Sequence, residues 1–144
     1  MTDARMTQNM SLLRQLYAKV DDPSVHSDRL AAYFDDEFKD FDRNPASPAH
    51  LSDLAAHLSF FDELKRGFTD FSHTLHLIAP LPDDRVVVYW TFEGTHRDTF
   101  FGVPASGKRP SANGIDIYTL REQRIAEQRH VEDIAGLMAQ LVAA

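Results

Sequence analysis

The hydrophobic period of this chain changes once, and that change constrains the fold more than any other feature. Before residue 67, apolar residues recur at intervals of three and four, as on one face of a helix. From residue 71 onward they alternate, as in strands with one buried face. Helices that precede strands, instead of alternating with them, are typical of α+β proteins. We therefore predict an α+β fold with helices packed on one face of an antiparallel sheet.

The local pattern predicts the individual elements. Before the change we expect a short strand over residues 38–43 and three helices, which carry the apolar stripes Leu12-Leu13-Leu16-Tyr17-Val20, Leu30-Tyr33-Phe34 and Leu51-Leu54-Ala55-Leu58-Phe61-Leu64. After it we expect a short final helix over 134–142 and four strands, over residues 71–78, 85–95, 111–120 and 125–131. Because no linker or repeat divides the sequence, we predict one domain over residues 1–144.

Composition excludes several classes of function. The net charge of −7 disfavours nucleic acid as a partner, because phosphate binding needs a surplus of Lys and Arg. The absence of Cys excludes disulfides, thiolate nucleophiles and cysteine metal sites. Residues 1–10 are polar, and no apolar stretch approaches a membrane span, so we expect a soluble, cytoplasmic protein with no membrane partner. Ten Phe residues predict a thick core or a pocket lined with rings.

Four short motifs follow one another in the second half of the chain. They are W-T-x-x-G-T-H over residues 90–96, G-x-P-x-x-G-K over 102–108, G-I-D-I-Y over 114–118 and D-x-x-G-L-x-x-Q-L over 133–141. In this order, and on the predicted strands and loops, they resemble the SnoaL-like polyketide cyclase family of the NTF2-like superfamily. The similarity is dense over residues 68–141 and looser over the preceding helices.

The resemblance implies an NTF2-like α+β cone, with a pocket between the curved sheet and the helices, and a homodimer formed through the sheet. Members of this family close a ring by intramolecular aldol condensation without a metal or cofactor. An acidic residue near the end of the last strand serves as acid/base, and here that position is Asp133. This chain departs from the pattern at Gln128-Arg129, where relatives often have His-Trp, and at Phe41, where relatives often have His.

Asp133 is the first predicted catalytic residue. One carboxyl can take and return a proton if burial raises its pKa towards working pH. The alternation along the last strand places it with Ile125 and Val131, on the face expected to line the pocket. The alternative is that Asp133 caps the helix that follows it.

His73 is the second predicted catalytic residue. It alternates with apolar neighbours, and an imidazole titrates near neutrality, so it could shuttle protons or bond a substrate carbonyl. The alternative is a core histidine bonded to a backbone carbonyl. A metal site is not predicted, because His50, His57, His96 and His130 have no ligand spacing with one another. His50 and His57 lie seven residues apart, too far for one ion.

A further set of residues is predicted to bind substrate. Asn113 is expected to orient a ligand carbonyl or to bond the backbone, and Arg129 to bind a carboxylate or to pair with Glu127. Asp116 and Tyr118 are expected to face solvent or a second subunit. The full predicted substrate-binding set is Asn113, Arg129, Trp90, Phe41, Phe61, Ile115 and Ile117.

Three functions remain open from the sequence. The first is a cofactor-free cyclase, isomerase or dehydratase that transfers protons on an apolar or aromatic carbonyl compound. The second is a small-molecule-binding protein with the same pocket and no chemistry, and the third is an assembly module that dimerises through its sheet. An enzyme predicts an open cavity with Asp133 facing in, whereas a module predicts no cavity of the roughly 300 Å³ that a drug-sized ligand needs.

Overall fold

The helices begin and end at residues whose side chains or backbone satisfy the free helix ends. In the computed structural model, which describes residues 3–143, Asp3 accepts a hydrogen bond from the Met6 amide and Ser52 accepts one from the Ala55 amide. Each side chain therefore caps the first turn of a helix. The helical elements are α1 (Ala4–Asp21), a 3-10 helix (Ser27–Tyr33), α2 (Asp53–Gly67) and α3 (Ile134–Val142).

Five strands form one curved sheet in the order β1-β5-β4-β3-β2. Strands β2 to β5 pair antiparallel, and β1 joins the edge parallel to β5. The predicted α+β fold is confirmed. The strands are β1 (Phe34–Asp40), β2 (Phe68–Leu81), β3 (Arg85–His96), β4 (Ser111–Arg121) and β5 (Arg124–Glu132).

One predicted helix is wrong. The segment with Leu30, Tyr33 and Phe34 forms only a 3-10 helix, and β1 begins at Phe34, four residues before the predicted strand. Phe34 and Phe38 are both buried in this strand. A spacing of four residues fits one helix face and also one strand face, so the apolar pattern does not distinguish the two here.

A bulge in β5 decides which of its side chains face the helices. Thr119 of β4 pairs with Glu127, but Leu120 pairs with Ile125, so Ala126 is an extra residue in β5. An extra residue reverses the alternation of side chains beyond it. Ile125 is therefore buried before the bulge, whereas the even-numbered residues face inwards after it.

The inner face of β4 is the opposite of the predicted one. Asp116 and Tyr118 are buried, whereas Ile115 is 45% exposed and Asn113 lies on the same outer face. The alternation predicts the wrong inner face for β4, because the two isoleucines lie on the outer face. The inner face can bury Asp116 and Tyr118 because these polar side chains bond one another. On β3, Trp90 alternates inwards with Val88 and Phe92, as expected.

Candidate active site

A cavity of about 90 Å³ lies between the inner face of the sheet and helices α1 and α2. Its wall is mainly aromatic and aliphatic. Pockets for drug-sized ligands run from about 300 to 1,000 Å³, so a ligand of that size requires side chains of this wall to move. The rings that line the cavity are those of Tyr17, His57, Phe60, Phe61, His73, Trp90, Phe92, Tyr118 and His130.

Asp116 is the centre of a buried hydrogen-bond network at the floor of the cavity. Its Oδ2 accepts hydrogen bonds from Trp90 Nε1 at 2.7 Å, from the Tyr118 hydroxyl at 3.0 Å and from the Tyr17 hydroxyl. Its Oδ1 accepts one from Gln128 Nε2 at 3.1 Å. Burial, and then the negative charge of Asp116, raise the pKa of Tyr17 and Tyr118 well above the usual value. Both phenols therefore stay protonated donors.

His130 is a cation held between two carboxylates. Its Nε2 lies 2.8 Å from Asp40 Oδ1 and its Nδ1 lies 2.6 Å from Glu132 Oε2. Burial alone would lower the pKa of His130, but the hydrogen bonds and charges of the two carboxylates outweigh it and raise the pKa to about 10. Burial alone would raise the pKa of Asp40, and the bond to His130 outweighs it in turn and lowers that pKa.

His57 is the opposite case. Its ring packs at centroid distances of 4.7 to 5.4 Å against the rings of Phe34, Phe38 and Phe61. This burial lowers the pKa of His57 to about 4, although Asp40, with Oδ2 3.9 Å from His57 Nδ1, acts to raise it. His57 is therefore neutral at pH 7.

The two histidines form one unit around Asp40. Their ring centroids lie 6.4 Å apart, both line the cavity, and each places one nitrogen near an oxygen of the Asp40 carboxylate. One ring is neutral and the other is cationic at the same pH. A pair of titratable groups whose pKa values are pushed apart is the arrangement of a general base beside a general acid.

One group of side chains has the composition of a metal site. Ligand atoms of Asp116, His130 and Glu132 lie within 4.8 Å of one another, and within residues 3–143 no second group of this kind occurs. One imidazole and two carboxylates suit a divalent transition metal. The same atoms already bond each other and the surrounding donors, so the cluster is also satisfied by protons alone.

Three of the predicted site residues line the cavity: Phe61, His73 and Trp90. His73 does not bond a backbone carbonyl, which is the predicted alternative to catalysis. Its Nδ1 lies 2.6 Å from Asp21 Oδ1, and its backbone N–H donates to the other oxygen at 2.7 Å. Asp21 is the last residue of α1, so this double contact joins the end of α1 to β2.

Asp133 lies outside the cavity, and its predicted orientation is wrong. It is exposed, and its Oδ1 accepts a hydrogen bond from the Gly136 amide at 2.8 Å, as the cap of α3. The bulge at Ala126 explains the error, because it reverses the alternation that the prediction extends from Ile125. The acid/base role of Asp133 stays a prediction, and its position does not favour that role.

The other five predicted binding residues also lie away from the cavity lining. Asn113, Ile115 and Ile117 lie on the outer face of β4, where Asn113 Oδ1 accepts a hydrogen bond from Thr91 Oγ1 at 2.7 Å. Arg129 and Phe41 are exposed and contact each other, with the guanidinium carbon 4.0 Å from the ring centroid. The inverted face of β4 explains the outward position of Asn113, Ile115 and Ile117, and the bulge in β5 explains that of Arg129. Phe41 lies directly after β1, away from both features.

The residues that the sequence reasoning missed are His57, Asp116 and His130. Two signals could have found them. Gln128, His130 and Glu132 are spaced two residues apart near the end of a strand and so share one face, and Asp116 is the one charged residue of the G-I-D-I-Y motif. His57 lies one turn before Phe61 on α2, next to the apolar stripe of that helix.

Comparisons with known proteins agree with this architecture. The family model of SnoaL-like polyketide cyclases matches residues 9–141. A structure from Jannaschia sp. CCS1, described as a SnoaL-like polyketide cyclase, superposes with a TM-score of 0.80 at 22% identity, over 99% of this chain and 96% of that one. No curated protein matches the chain in sequence. No helix within residues 3–143 is both long and apolar enough to cross a membrane.

Two Streptomyces proteins have the same fold. TsrD from Streptomyces laurentii superposes with a TM-score of 0.77 at 25% identity, over 99% of this chain and 98% of that one. IdmH from Streptomyces antibioticus, described as a polyketide cyclase, superposes with a TM-score of 0.73 at 22% identity, over 93% and 98%. The match of the family model covers nearly the whole chain. This protein therefore belongs to the SnoaL-like polyketide cyclase family.

Proposed function

We propose that this chain is a cofactor-free enzyme that moves protons on an apolar or aromatic carbonyl compound, in a cyclisation, isomerisation or dehydration. The observation that carries the proposal is the pair of cavity histidines in different charge states at pH 7, His57 neutral and His130 cationic. A neutral imidazole can take a proton from a carbon next to a carbonyl, and an imidazolium can give one to oxygen. Family membership supports proton transfer on a carbonyl compound as the class of reaction. The geometry of the cavity supports His57 as the base and His130 as the acid.

The charges around the two histidines suit a paired transfer. Once His57 has taken a proton, the Asp40 carboxylate stabilises the new imidazolium, because its Oδ2 lies 3.9 Å from His57 Nδ1. As His130 gives its proton to the substrate oxygen, the total charge on the pair does not change. The three surrounding carboxylates therefore do not oppose the step, although they would oppose an enolate left without a proton.

The experiment that tests the proposal is proton exchange on a small carbonyl probe. Acetophenone in D₂O exchanges its methyl protons slowly, and NMR follows the loss of their signal. We expect the wild type to accelerate this exchange, and His57→Phe and His130→Gln each to slow it on the order of 10²-fold, as is typical when a general base or acid is removed. His50→Gln is the matched control, because His50 is exposed and does not line the cavity.

Two results would contradict the proposal. Exchange by the wild type at the rate of free solution would remove the enzymatic function for this class of compound. Full exchange in the His57 and His130 variants, together with loss of exchange in Asp133→Asn, would return the acid/base role to the carboxyl that the family resemblance implies.

A non-catalytic binding protein is the second candidate, and the position of Asp133 favours it, because this carboxyl caps α3 outside the cavity. If the pocket only binds, the acetophenone probe should stabilise the wild type against heat without any exchange. The same stabilisation should persist in His57→Phe. Ligand that binds the folded state alone raises the melting temperature by mass action, so the two candidates separate in one set of samples.

We also propose that the chain forms a homodimer through the outer face of its sheet. Four exposed apolar side chains are direct cross-strand neighbours there: Leu77 pairs with Tyr89, Tyr89 with Ile115 and Ile115 with Val131. We call this set the apolar row. A contiguous exposed apolar patch of this kind marks an interaction surface more often than scattered single residues do. The cytoplasmic location expected from the sequence stays a prediction.

A further inference from the structure

One residue that lines the cavity has a buried side-chain oxygen without a hydrogen-bond partner among the described residues. Within residues 3–143, the buried side-chain atoms without a partner are His96 Nε2 and Gln128 Oε1, and of these two residues Gln128 lines the cavity. Gln128 is only 3% exposed. A buried acceptor without a donor is unfavourable and rare in folded proteins. The position of Gln128 therefore points to a donor that comes from a molecule in the cavity.

The orientation of the Gln128 amide is fixed by its neighbour. Nε2 donates to Asp116 Oδ1 at 3.1 Å, and Asp116 Oδ2 accepts from Trp90 and Tyr118, so this carboxyl group is an acceptor at both oxygens. The amide nitrogen must therefore face Asp116, and the carbonyl oxygen cannot exchange places with it. Oε1 remains a pure acceptor. It requires a hydroxyl or N–H group.

The charge of the cavity selects among ligands that carry such a group. Three carboxylates, those of Asp40, Asp116 and Glu132, line the cavity with two cations, His130 and Arg43. The guanidinium of Arg43 is already paired with a further carboxylate, that of Asp53, at 3.0 Å. This excess of negative charge disfavours an anionic ligand such as a carboxylate or a phosphate. The aromatic wall described above favours a flat, uncharged body.

We propose that Gln128 is a specificity-determining residue whose Oε1 accepts a hydrogen bond from a hydroxyl group of a neutral aromatic carbonyl ligand. The inference rests on the proposed function and names the substrate class of the same cavity. The proposal gives a ligand-binding role to Gln128, the residue at the position where relatives often have histidine. It also distinguishes this cavity from one that selects its ligand by apolar contact alone.

A pair of probes of similar shape tests the inference. 4-Hydroxyacetophenone and 4-methylacetophenone differ only in the group that would meet Oε1, and calorimetry or NMR titration gives the dissociation constant of each. We expect the wild type to bind the hydroxyl probe about three- to tenfold more tightly, as one neutral hydrogen bond allows. Gln128→Met, which keeps the length of the side chain and removes the acceptor, should abolish this preference. Gln8→Met is the control, because Gln8 is an exposed glutamine outside the cavity.

The possible failures are distinct. Equal binding of both probes by the wild type would overturn the inference alone, as would a preference that persists in Gln128→Met. Binding of neither probe would overturn the proposed function and the inference with it. The comparison of probes on the wild type does not depend on the folding of any variant, so the inference can be tested even if Gln128→Met is unstable.

Discussion

The two cavity histidines show how strongly the immediate surroundings of a residue set its charge. His57 and His130 share one carboxylate partner, Asp40, but only His130 makes hydrogen bonds to carboxylates through both ring nitrogens. His57 instead packs among phenylalanine rings, which offer no compensation for a charge. The same chemical group is therefore a cation in one position and neutral in the other.

These pKa values predict how stability depends on pH. Folding lowers the pKa of His57 from 6.5 to about 4. Between these pH values the unfolded chain binds a proton at His57 and the folded chain does not, so the free energy of unfolding falls as the pH drops from 6.5 to 4. The pKa of His130 is raised to about 10, so its contribution is complete below pH 6.5 and is lost as the pH rises to 10.

Urea unfolding of the wild type and His57→Phe at pH values from 4 to 9 tests the acid side of this prediction. We expect the free energy of unfolding of the variant to fall less steeply with decreasing pH below 6.5 than that of the wild type. On the alkaline side the two proteins should remain parallel, because both retain His130. Equal slopes on the acid side would contradict the low pKa of His57.

Gly114 supports the buried network by leaving space. A Cβ atom at this position would overlap the indole ring of Trp90, which donates to Asp116. We expect Gly114→Ala to destabilise the protein by about 1–3 kcal/mol, as overpacking does, and to change the fluorescence of Trp90, the single tryptophan of the chain. Asn113→Ala, on the outer face of the same strand, should leave the fluorescence unchanged. Unchanged emission in Gly114→Ala would show that the indole is not held as described.

At the scale of elements, the sequence predicted what depends on short-range pattern. The bounds of α3 agree with the prediction at both ends, and the three long antiparallel strands lie where the alternation places them. The pattern did not predict which faces of β4 and β5 point towards the helices, for two physical reasons. The extra residue Ala126 leaves no mark in the pattern, because a small apolar residue beside the buried Ile125 also fits a regular strand. The buried face of β4 holds Asp116, whose burial is explained only by donors on α1, β3 and β5.

The position of Asp133 at the start of α3 gives a prediction about that helix. Its carboxylate accepts the Gly136 amide, so Asp133→Ala should lower the free energy of unfolding by about 1 kcal/mol. Asp133→Asn should be nearly neutral, because asparagine caps a helix about as well as aspartate. Urea unfolding of both variants measures the difference. A loss of the same size in both would mean that the charge matters and not the cap.

For the whole molecule, the sheet separates two surfaces with different chemistry. Its inner face holds the polar network and the cavity, and its outer face holds the apolar row. The family resemblance predicted both a pocket and a dimer. The alternation along β4, however, assigned Ile115 to the pocket, whereas the structure places this residue in the apolar row. A reversal of one strand face thus moves a residue from one proposed function to the other.

The proposed dimer is tested by adding charge to the apolar row. Val131 is 76% exposed, and we expect Val131→Lys to shift the wild-type dimer towards monomer, because a buried lysine in a dry interface is unfavourable. The substitution lowers the net charge of −7 in magnitude, so added repulsion between chains cannot explain dissociation. Val142→Lys is the matched control, at a valine that is 69% exposed on α3. Sedimentation equilibrium reads the result, and a monomeric wild type at micromolar concentration would contradict the proposal.

The central claim is that the cavity holds one neutral and one cationic histidine side by side. NMR of protein with ¹⁵N-labelled histidine measures this directly, because the ring nitrogen shifts differ between imidazole and imidazolium, and His57→Phe and His130→Gln assign the signals. At pH 7 we expect His130 to be fully protonated, with a pKa of about 10, and His57 to be neutral, with a pKa of about 4. If both rings instead titrate together near pH 6.5, the base and the acid of the proposed reaction are not distinct, and the account is wrong.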